Sequence, residues 1–167
     1  VHSDDLFYLA SGLQTLHTML EEGNRDEKIC ALRCIGELEN SRFVRRVVPF
    51  LSEPDLAVRE AAMESVERLL QGHFQDDERL DEIIATALED SHPSLRRRGV
   101  RLLGNRGSHT DFDRLVASLT DPDSWVRHEA VSTLKEIKRR GALSIEGGAL
   151  LGFLSRWLVP PKNGGAQ

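Results

Sequence analysis

The amino-acid sequence predicts an all-α fold, a stack of four helix pairs followed by a C-terminal capping helix. Two observations lead to this prediction. Four leucines recur at intervals of 31, 37 and 31 residues, and a second marked position follows each leucine after seven residues. From each second position, mostly apolar side chains return after four, eight and eleven residues. That spacing gathers side chains on one face of an α-helix.

The four copies align position by position. The leucine anchors are Leu20, Leu51, Leu88 and Leu119, and the second positions are Glu27, Val58, Leu95 and Val126. The positions that follow are Ala31, Ile35 and Leu38, then Ala62, Val66 and Leu69, then Gly99, Leu103 and Arg106, then Ala130, Leu134 and Ile137. In each unit we expect a helix A that ends at the anchor and a helix B that carries the later positions. The predicted units are about residues 4–39, 41–71, 76–106 and 110–140. The first and third units depart most from the pattern, at Glu27, Gly99 and Arg106.

The turns between the A and B helices contain residues that favour helix starts. We expect Pro54 and Pro122 at first helical positions, where the missing N–H is not needed. Asp121 is an expected N-cap, since its carboxylate can accept hydrogen bonds from free amides, and Asn24 is the expected cap in the first unit. Pro49 predicts a bend inside the second A helix, because proline removes a backbone donor.

The repeat stops after the fourth unit. Residues 149–159 predict another amphipathic helix, and we expect the segment 145–159 to cover the C-terminal end of the stack. Half of a fifth unit is the alternative. Residues 160–167 contain two prolines and two glycines, a composition typical of a disordered tail. Because repeated units bury their apolar faces only against neighbours, residues 1–159 are predicted to form a single domain.

The pattern Leu-x-Asp-Pro-Asp-x-x-Val-Arg-x-x-Ala-x-x-x-Leu, from Leu119 to Leu134, resembles the HEAT repeat. It is most similar to the short bacterial variety that also occurs in phycobilisome lyases, and the resemblance covers roughly residues 4–140. It implies a right-handed superhelical α-solenoid in which the B helices line a concave, partner-binding surface. The resemblance is specific for the fold and says little about the role, since such repeats serve many proteins.

Two charged columns recur in every unit. An acid stands two residues after each anchor and a base stands eight residues after it. The acids are Glu22, Glu53, Asp90 and Asp121, and the bases are Lys28, Arg59, Arg96 and Arg127. The resemblance implies a ladder of ion pairs between adjacent units, in which each charge-assisted hydrogen bond fixes the angle of a joint. A catalytic role is the alternative, but four equivalent copies favour a repeated structural joint.

Composition and cysteine usage narrow the classes of function. The formal net charge of -5 argues against a dedicated nucleic-acid binder, whose affinity would rest on Lys and Arg. Cys30 and Cys34 lie four residues apart, so they cannot join distant segments, which favours a reducing compartment such as the cytoplasm. We expect both thiols to take part in helix packing, with a shared metal or oxidation as the alternative. The longest apolar run, residues 149–159, is too short to cross a bilayer.

The dipeptide His128-Glu129 is the strongest metal candidate in the sequence. Deoxyhypusine hydroxylase, an iron enzyme built from HEAT repeats, carries His-Glu at this place in several repeats. The equivalent positions here are Ile29-Cys30, Glu60-Ala61 and Arg97-Arg98. One histidine and one glutamate fall short of the three or more ligands that a stable site needs. The sequence therefore predicts no metal, no cofactor and no catalytic residue.

The outward columns of the B helices combine both charges, with arginines at the centre. The residues predicted to contact a partner are Arg33, Glu60, Glu64, Arg97, Arg98 and Arg101. We expect Arg97, Arg98 and Arg101 to face outward, where guanidinium groups suit the carboxylates of an acidic peptide or helix. Solvation of the surface alone is the alternative.

The sequence therefore predicts a scaffold that binds another protein, or another domain of a longer parent chain, on its B helices. Two alternatives remain open. One is an accessory subunit of an enzyme similar to the phycobilin lyases. The other is nucleic-acid binding through two arginine strips, Arg42, Arg45 and Arg46 on one helix and Arg96, Arg97, Arg98 and Arg101 on another.

Overall fold

The computed structural model describes residues 3–71, 79–106 and 111–140, with side chains from residue 11 onward. Within these ranges the chain is an all-α solenoid of eight α-helices, which confirms the predicted fold class. The A helices are α1 (Ser3–Glu21), α3 (Val44–Val47), α5 (Leu80–Leu88) and α7 (Phe112–Ser118). The B helices are α2 (Arg25–Gly36), α4 (Leu56–Leu69), α6 (Pro93–Arg106) and α8 (Ser124–Arg139). The expected capping helix at 145–159 and the tail at 160–167 lie outside the described residues.

One apolar core runs through the described helices. Most predicted core positions are buried, including Ala31, Ala62, Val66 and Leu134. Three positions of the alignment are not in the core: Leu38, Arg106 and the capping residue Glu27. Leu38 is 41% exposed because α2 already ends at Gly36. Arg106 instead pairs with Asp111 and Asp81.

Asn24 caps α2 as expected, and it explains why Glu27 departs from the repeat. The Asn24 side chain accepts hydrogen bonds from the backbone N–H groups of Asp26 and Glu27, at 2.9 and 3.1 Å. The Glu27 carboxylate in turn accepts from the Asn24 N–H at 2.7 Å. This capping box satisfies helix-end donors that would otherwise lack partners. Glu27 is therefore a capping residue where the other units have a core residue.

The predicted starts of α4 and α8 were wrong by two residues. Asp123, and not Asp121, caps α8, with its side chain accepting from the N–H groups of Trp125 and Val126 at 2.8 and 3.1 Å. Asp55 caps α4 in the same way. Pro54 and Pro122 therefore precede the caps and do not occupy first helical positions.

Pro49 interrupts the second A helix, as predicted. That segment consists of a 3₁₀ turn at Ser41–Phe43, the single α-helical turn of α3, and a second 3₁₀ stretch at Val48–Ser52 that contains the proline. A proline lacks the N–H that a continuous α-helix would use at this point.

Neighbouring B helices pack closely at two of the three joints. At the joint between α2 and α4, a methyl group added to Gly36 would lie 3.0 Å from the Cα of Ser65. The Ser65 hydroxyl donates to the carbonyl of Leu32 at 2.7 Å, so it is satisfied although buried. Between α6 and α8, Gly104 faces Thr133 with equally little space. The middle joint, between α4 and α6, is much more open.

Candidate protein-binding surface

Each base of the charged columns reaches the acid of the following unit at the three joints between described units. The Nζ of Lys28 lies 2.9 Å from Glu53. Arg59 binds both carboxylate oxygens of Asp90, at 2.8 and 3.2 Å. Arg96 binds Asp121 in the same bidentate manner, at 2.8 and 2.9 Å. The two arginine pairs are largely buried, so water screens them little.

The third nitrogen of each paired guanidinium donates hydrogen bonds to the turn that precedes its own helix. Nη1 of Arg59 donates to the carbonyl oxygens of Glu53 and Pro54, both at 2.9 Å. Nη1 of Arg96 donates to the carbonyls of Asp90 and Ser91, both at 3.0 Å. One side chain thus fixes the turn before its helix and the turn of the next unit. The planar fork of arginine makes this double attachment possible.

The charges of the Arg96–Asp121 pair are stabilised in their ionised forms. Burial opposes ionisation of Asp121, but hydrogen bonds from Arg96 and the Asp123 N–H outweigh it and lower the pKa of the carboxyl. The hydrogen bond to Asp121 raises the pKa of Arg96. Both shifts move these groups away from neutrality, whereas acid–base catalysis would need a pKa near the working pH. The pair therefore has the properties of a structural joint.

The two ends of the charged columns differ from the joints. Glu22 is exposed and has no ion-pair partner among the described residues. Arg127 donates through Nη1 to the carbonyls of Asp121 and Pro122, at 2.7 and 2.9 Å. Its other nitrogens have no partner in the described part of the chain. The described part of the chain contains no fifth unit whose acid could pair with Arg127.

Five of the six predicted contact residues already have partners. Arg33 lies 3.7 Å from Glu64, and Glu60 accepts a hydrogen bond from the Ser94 hydroxyl at 2.6 Å. Further along α6, the Nε of Arg97 is buried without a hydrogen bond and lies 3.7 Å from Glu129. Arg98 is half-buried in an ion pair with Glu67 at 2.8 Å. The expectation that Arg98 faces outward was therefore wrong, because Glu67 on α4 draws it into the joint, whereas Arg97 keeps 43% of its side chain exposed beside Glu129.

Arg101 differs from these five residues. It is exposed, and no hydrogen bond or ion pair engages it among the described residues. It lines a groove of about 480 Å³ between α4 and α6. It also lines a second depression of about 210 Å³ between α6 and α8. Asn105, one turn further along α6, borders both spaces as well. A guanidinium without a hydrogen bond or ion pair in the described ranges therefore lies near Glu67 at the centre of the B-helix face, by which we mean the exposed sides of α4, α6 and α8.

The remaining lining residues give the groove mixed charge. The groove between α4 and α6 is lined by Glu64, Glu67, Arg68, Gln71, Arg98, Arg101, Leu102 and Asn105. Arg68 pairs with Glu64 at 3.0 Å and also contacts Glu37. Three arginines and two glutamates line the groove, so the wall has one unbalanced positive charge.

Trp125 is an exposed aromatic side chain at the start of α8 and was not among the predicted contact residues. It is 67% exposed, and its ring meets the edge of His128 with centroids 6.4 Å apart. The sequence did contain a signal. The equivalent positions in the other units are Asp26, Ala57 and Ser94, so tryptophan is the exception in its column. Exposed tryptophans often anchor protein interfaces.

Cys30 and Cys34 are exposed, so the expectation that both take part in helix packing was wrong. Their columns continue as Ala61 and Ser65, which are buried on α4. Ser65 reaches back to α2, whereas no earlier B helix precedes α2 in the described chain. Burial, and after it the neighbouring Cys30, raises the pKa of the Cys34 thiol. Cys34 is therefore less reactive than an ordinary cysteine at neutral pH.

Among the residues that the structure describes, no three or more His, Cys, Asp or Glu side chains group in a way that could hold a metal ion. His128 and Glu129 gain no companion ligands in these ranges. Among the described helices, none combines the length and the apolar character that crossing a membrane requires.

Part of the chain matches a known protein family. Residues 80–145 match the family model described as HEAT repeats. The matched segment begins at α5 and includes α6, α7 and α8. No curated protein matches the sequence.

Proposed function

Because residues 80–145 match HEAT repeats, we propose that this chain binds an acidic segment of another protein on its B-helix face. The observation that carries the proposal is Arg101. It is the one predicted contact residue that is exposed and without a partner in the described ranges. Its guanidinium can form two parallel hydrogen bonds to one carboxylate. The chemistry is recognition, with rigid helices presenting variable side chains.

Trp125 supports the same interpretation. It stands on α8, the B helix that follows Arg101, and is 67% exposed. Aromatic and arginine side chains dominate the binding energy of protein interfaces. A partner helix could place one acidic residue on Arg101 and an apolar residue against Trp125. Such a helix is amphipathic and acidic on the face that meets this surface.

Binding of two designed peptides to the chain tests the proposal. One is a fluorescein-labelled amphipathic helix of Leu and Glu, and the other is the same helix with Lys in place of Glu. We expect the acidic peptide to bind the native chain and the basic peptide to bind much more weakly. Replacing Arg101 by Glu should weaken binding of the acidic peptide by about tenfold or more, since residue 101 would then repel the peptide's carboxylates. Fluorescence anisotropy at two salt concentrations measures both effects.

Arg45→Glu is the matched control, because Arg45 is exposed on the A helix α3 and undergoes the same change of charge. It should bind the acidic peptide as the native chain does. Equal losses in the two variants would mean non-specific charge attraction and would overturn the proposal. Preference for the basic peptide would also overturn it. Binding of duplex DNA that is lost in Arg45→Glu would favour the nucleic-acid alternative instead.

A further inference from the structure

One column of the B helices explains why the middle joint is open. Nine residues after the second position, the four units carry Gly36, Glu67, Gly104 and Lys135. At the first and third joints the glycine allows a close approach to Ser65 and Thr133 of the next unit. At the middle joint the same place is taken by Glu67, and the facing position is Leu102. A glutamate is several atoms longer than a glycine, so α4 and α6 cannot approach in the same way.

Glu67 is held in this joint although its environment disfavours the charge. One carboxylate oxygen accepts from Nη1 of Arg98 at 2.8 Å. The other is buried and has no hydrogen bond. An unsatisfied buried acceptor is destabilising, and natural proteins retain such groups mainly where they have a use. Removing Glu67 would permit a closer joint, as the two glycine joints illustrate.

The groove between α4 and α6 lies toward one end of the two helices. At the N-terminal ends, α4 and α6 are tied together by Arg59 to Asp90 and by Ser94 to Glu60, at 2.8 and 2.6 Å. The groove of about 480 Å³ lies toward their C-terminal ends. The two helices are therefore tied near their N-terminal ends, and the groove separates them toward their C-terminal ends. A space of this size is large enough to admit a side chain of a partner.

We propose that this middle joint is the place where the B-helix face takes up one acidic side chain of its partner, with Glu67 holding the groove open. The inference rests on the proposed function and gives it a location. Arg68 and Arg98 are neutralised by glutamates, which leaves Arg101 to accept the incoming carboxylate. The amide of Asn105, which has no partner in the described chain, lies one turn away and can donate a further hydrogen bond. The groove lining contains one more arginine than glutamate, which favours an incoming carboxylate.

Two substitutions of Glu67 separate geometry from charge, with the Leu/Glu peptide as the probe. Glu67→Gln keeps the length of the side chain and removes its charge, so the peptide should bind as tightly as to the native chain or more tightly. Glu67→Gly removes the same charge but lets the joint close, as at Gly36 and Gly104. It should weaken binding by about tenfold or more. Electrostatics alone predicts the reverse, because removing a carboxylate favours an acidic ligand.

Lys135→Gly is the control, since it places a glycine in the same column of α8 outside this joint. It should leave binding unchanged. Far-UV circular dichroism and thermal unfolding establish that each variant is folded, and Asn105→Ala supplies a second measurement, with an expected loss of a few fold. Equal binding by Glu67→Gly and Glu67→Gln would overturn the inference. If Arg101→Glu still abolished binding in that case, the proposed function would stand and the site would lie elsewhere on the face. If the native chain bound no acidic peptide, both proposals would fail.

Discussion

Glu67 illustrates how a single residue can set a local property of a repeat protein. Its column holds glycine in two other units, and the exchange places a carboxylate between two helices. Burial raises the pKa of Glu67, and the nearby Arg98 and Arg101 only partly oppose this effect. The folded chain therefore favours the protonated form of Glu67 more than the unfolded chain does.

This shift predicts a specific dependence of stability on pH. Between the ordinary pKa of 4.5 and the raised value, the folded state binds more protons than the unfolded state. The free energy of unfolding contributed by Glu67 therefore rises as the pH falls through that window. We compare the free energies of unfolding of the native chain and Glu67→Gln. As the pH falls from 7.5 toward 4.5, we expect the native chain to become more stable relative to Glu67→Gln. Urea unfolding at a series of pH values measures this difference.

The comparison between these two chains isolates Glu67 from other acids. The pKa of Asp121 is lowered, so its stabilising contribution is present at neutral pH and is lost as the pH falls. That loss is common to both chains and cancels in the difference. A difference that stayed constant with pH would show that Glu67 has the same environment in the folded and unfolded states.

At the scale of elements, the close joints depend on small residues. The Gly36 joint brings α2 so near to α4 that an added methyl group would meet backbone atoms of Ser65 at 3.0 Å. Backbone cannot rotate away as a side chain can. The other close joint, at Gly104, faces a Thr133 methyl group that can rotate. Two joints of similar appearance therefore differ in how much change they tolerate.

Gly36→Ala should destabilise the fold by about 1–2 kcal/mol, because overpacking outweighs the gain in helix propensity. Gly12→Ala is the matched control. Gly12 lies in α1 with nothing within 4 Å of an added methyl group. That substitution should stabilise the chain by about 0.5–1 kcal/mol. Urea unfolding of both variants checks the signs, and a stabilising Gly36→Ala would contradict the close joint.

At the scale of the whole molecule, the described units form two tightly packed halves around an open middle. The first half pairs α2 with α4, and the second pairs α6 with α8. Across the middle, Arg59 to Asp90 and Glu60 to Ser94 tie the B-helix starts together. The stability of a repeat array is approximately a sum of unit and neighbour contributions. A weak neighbour contribution in the centre lets the halves separate.

Arg59→Met should therefore divide the unfolding transition into two, one for each half. Arg96→Met removes an equivalent pair inside the second half, between α6 and the turn before α8. Arg96→Met should lower the protection of backbone amides in that half against hydrogen exchange, while α6 and α8 still unfold together. Hydrogen exchange with mass spectrometry in increasing urea reports α2 and α4 separately from α6 and α8. A single shared transition in both variants would contradict the two-halves description.

The sequence by itself determined the helices, most of the core and the charged columns. These features depend on interactions within a few residues, such as the helical return of apolar side chains and the capping of α2 by Asn24. Pro49 likewise breaks its helix by removing a local donor. The start of α4 and the cap of α8 were missed by two residues, because several acids near each turn could serve as caps.

Only the tertiary structure decided how residues on different helices meet. The columns identified Arg97, Arg98 and Arg101 as similar, yet Glu67 and Glu129 engage the first two and leave Arg101 free. Cys30 and Cys34 are exposed because no earlier B helix covers them in the described chain. The groove exists because Glu67 and Leu102 face each other where other joints pair glycine with a hydroxyl-bearing residue. Such pairings depend on two side chains at once, and spacing along one helix contains no information about the second.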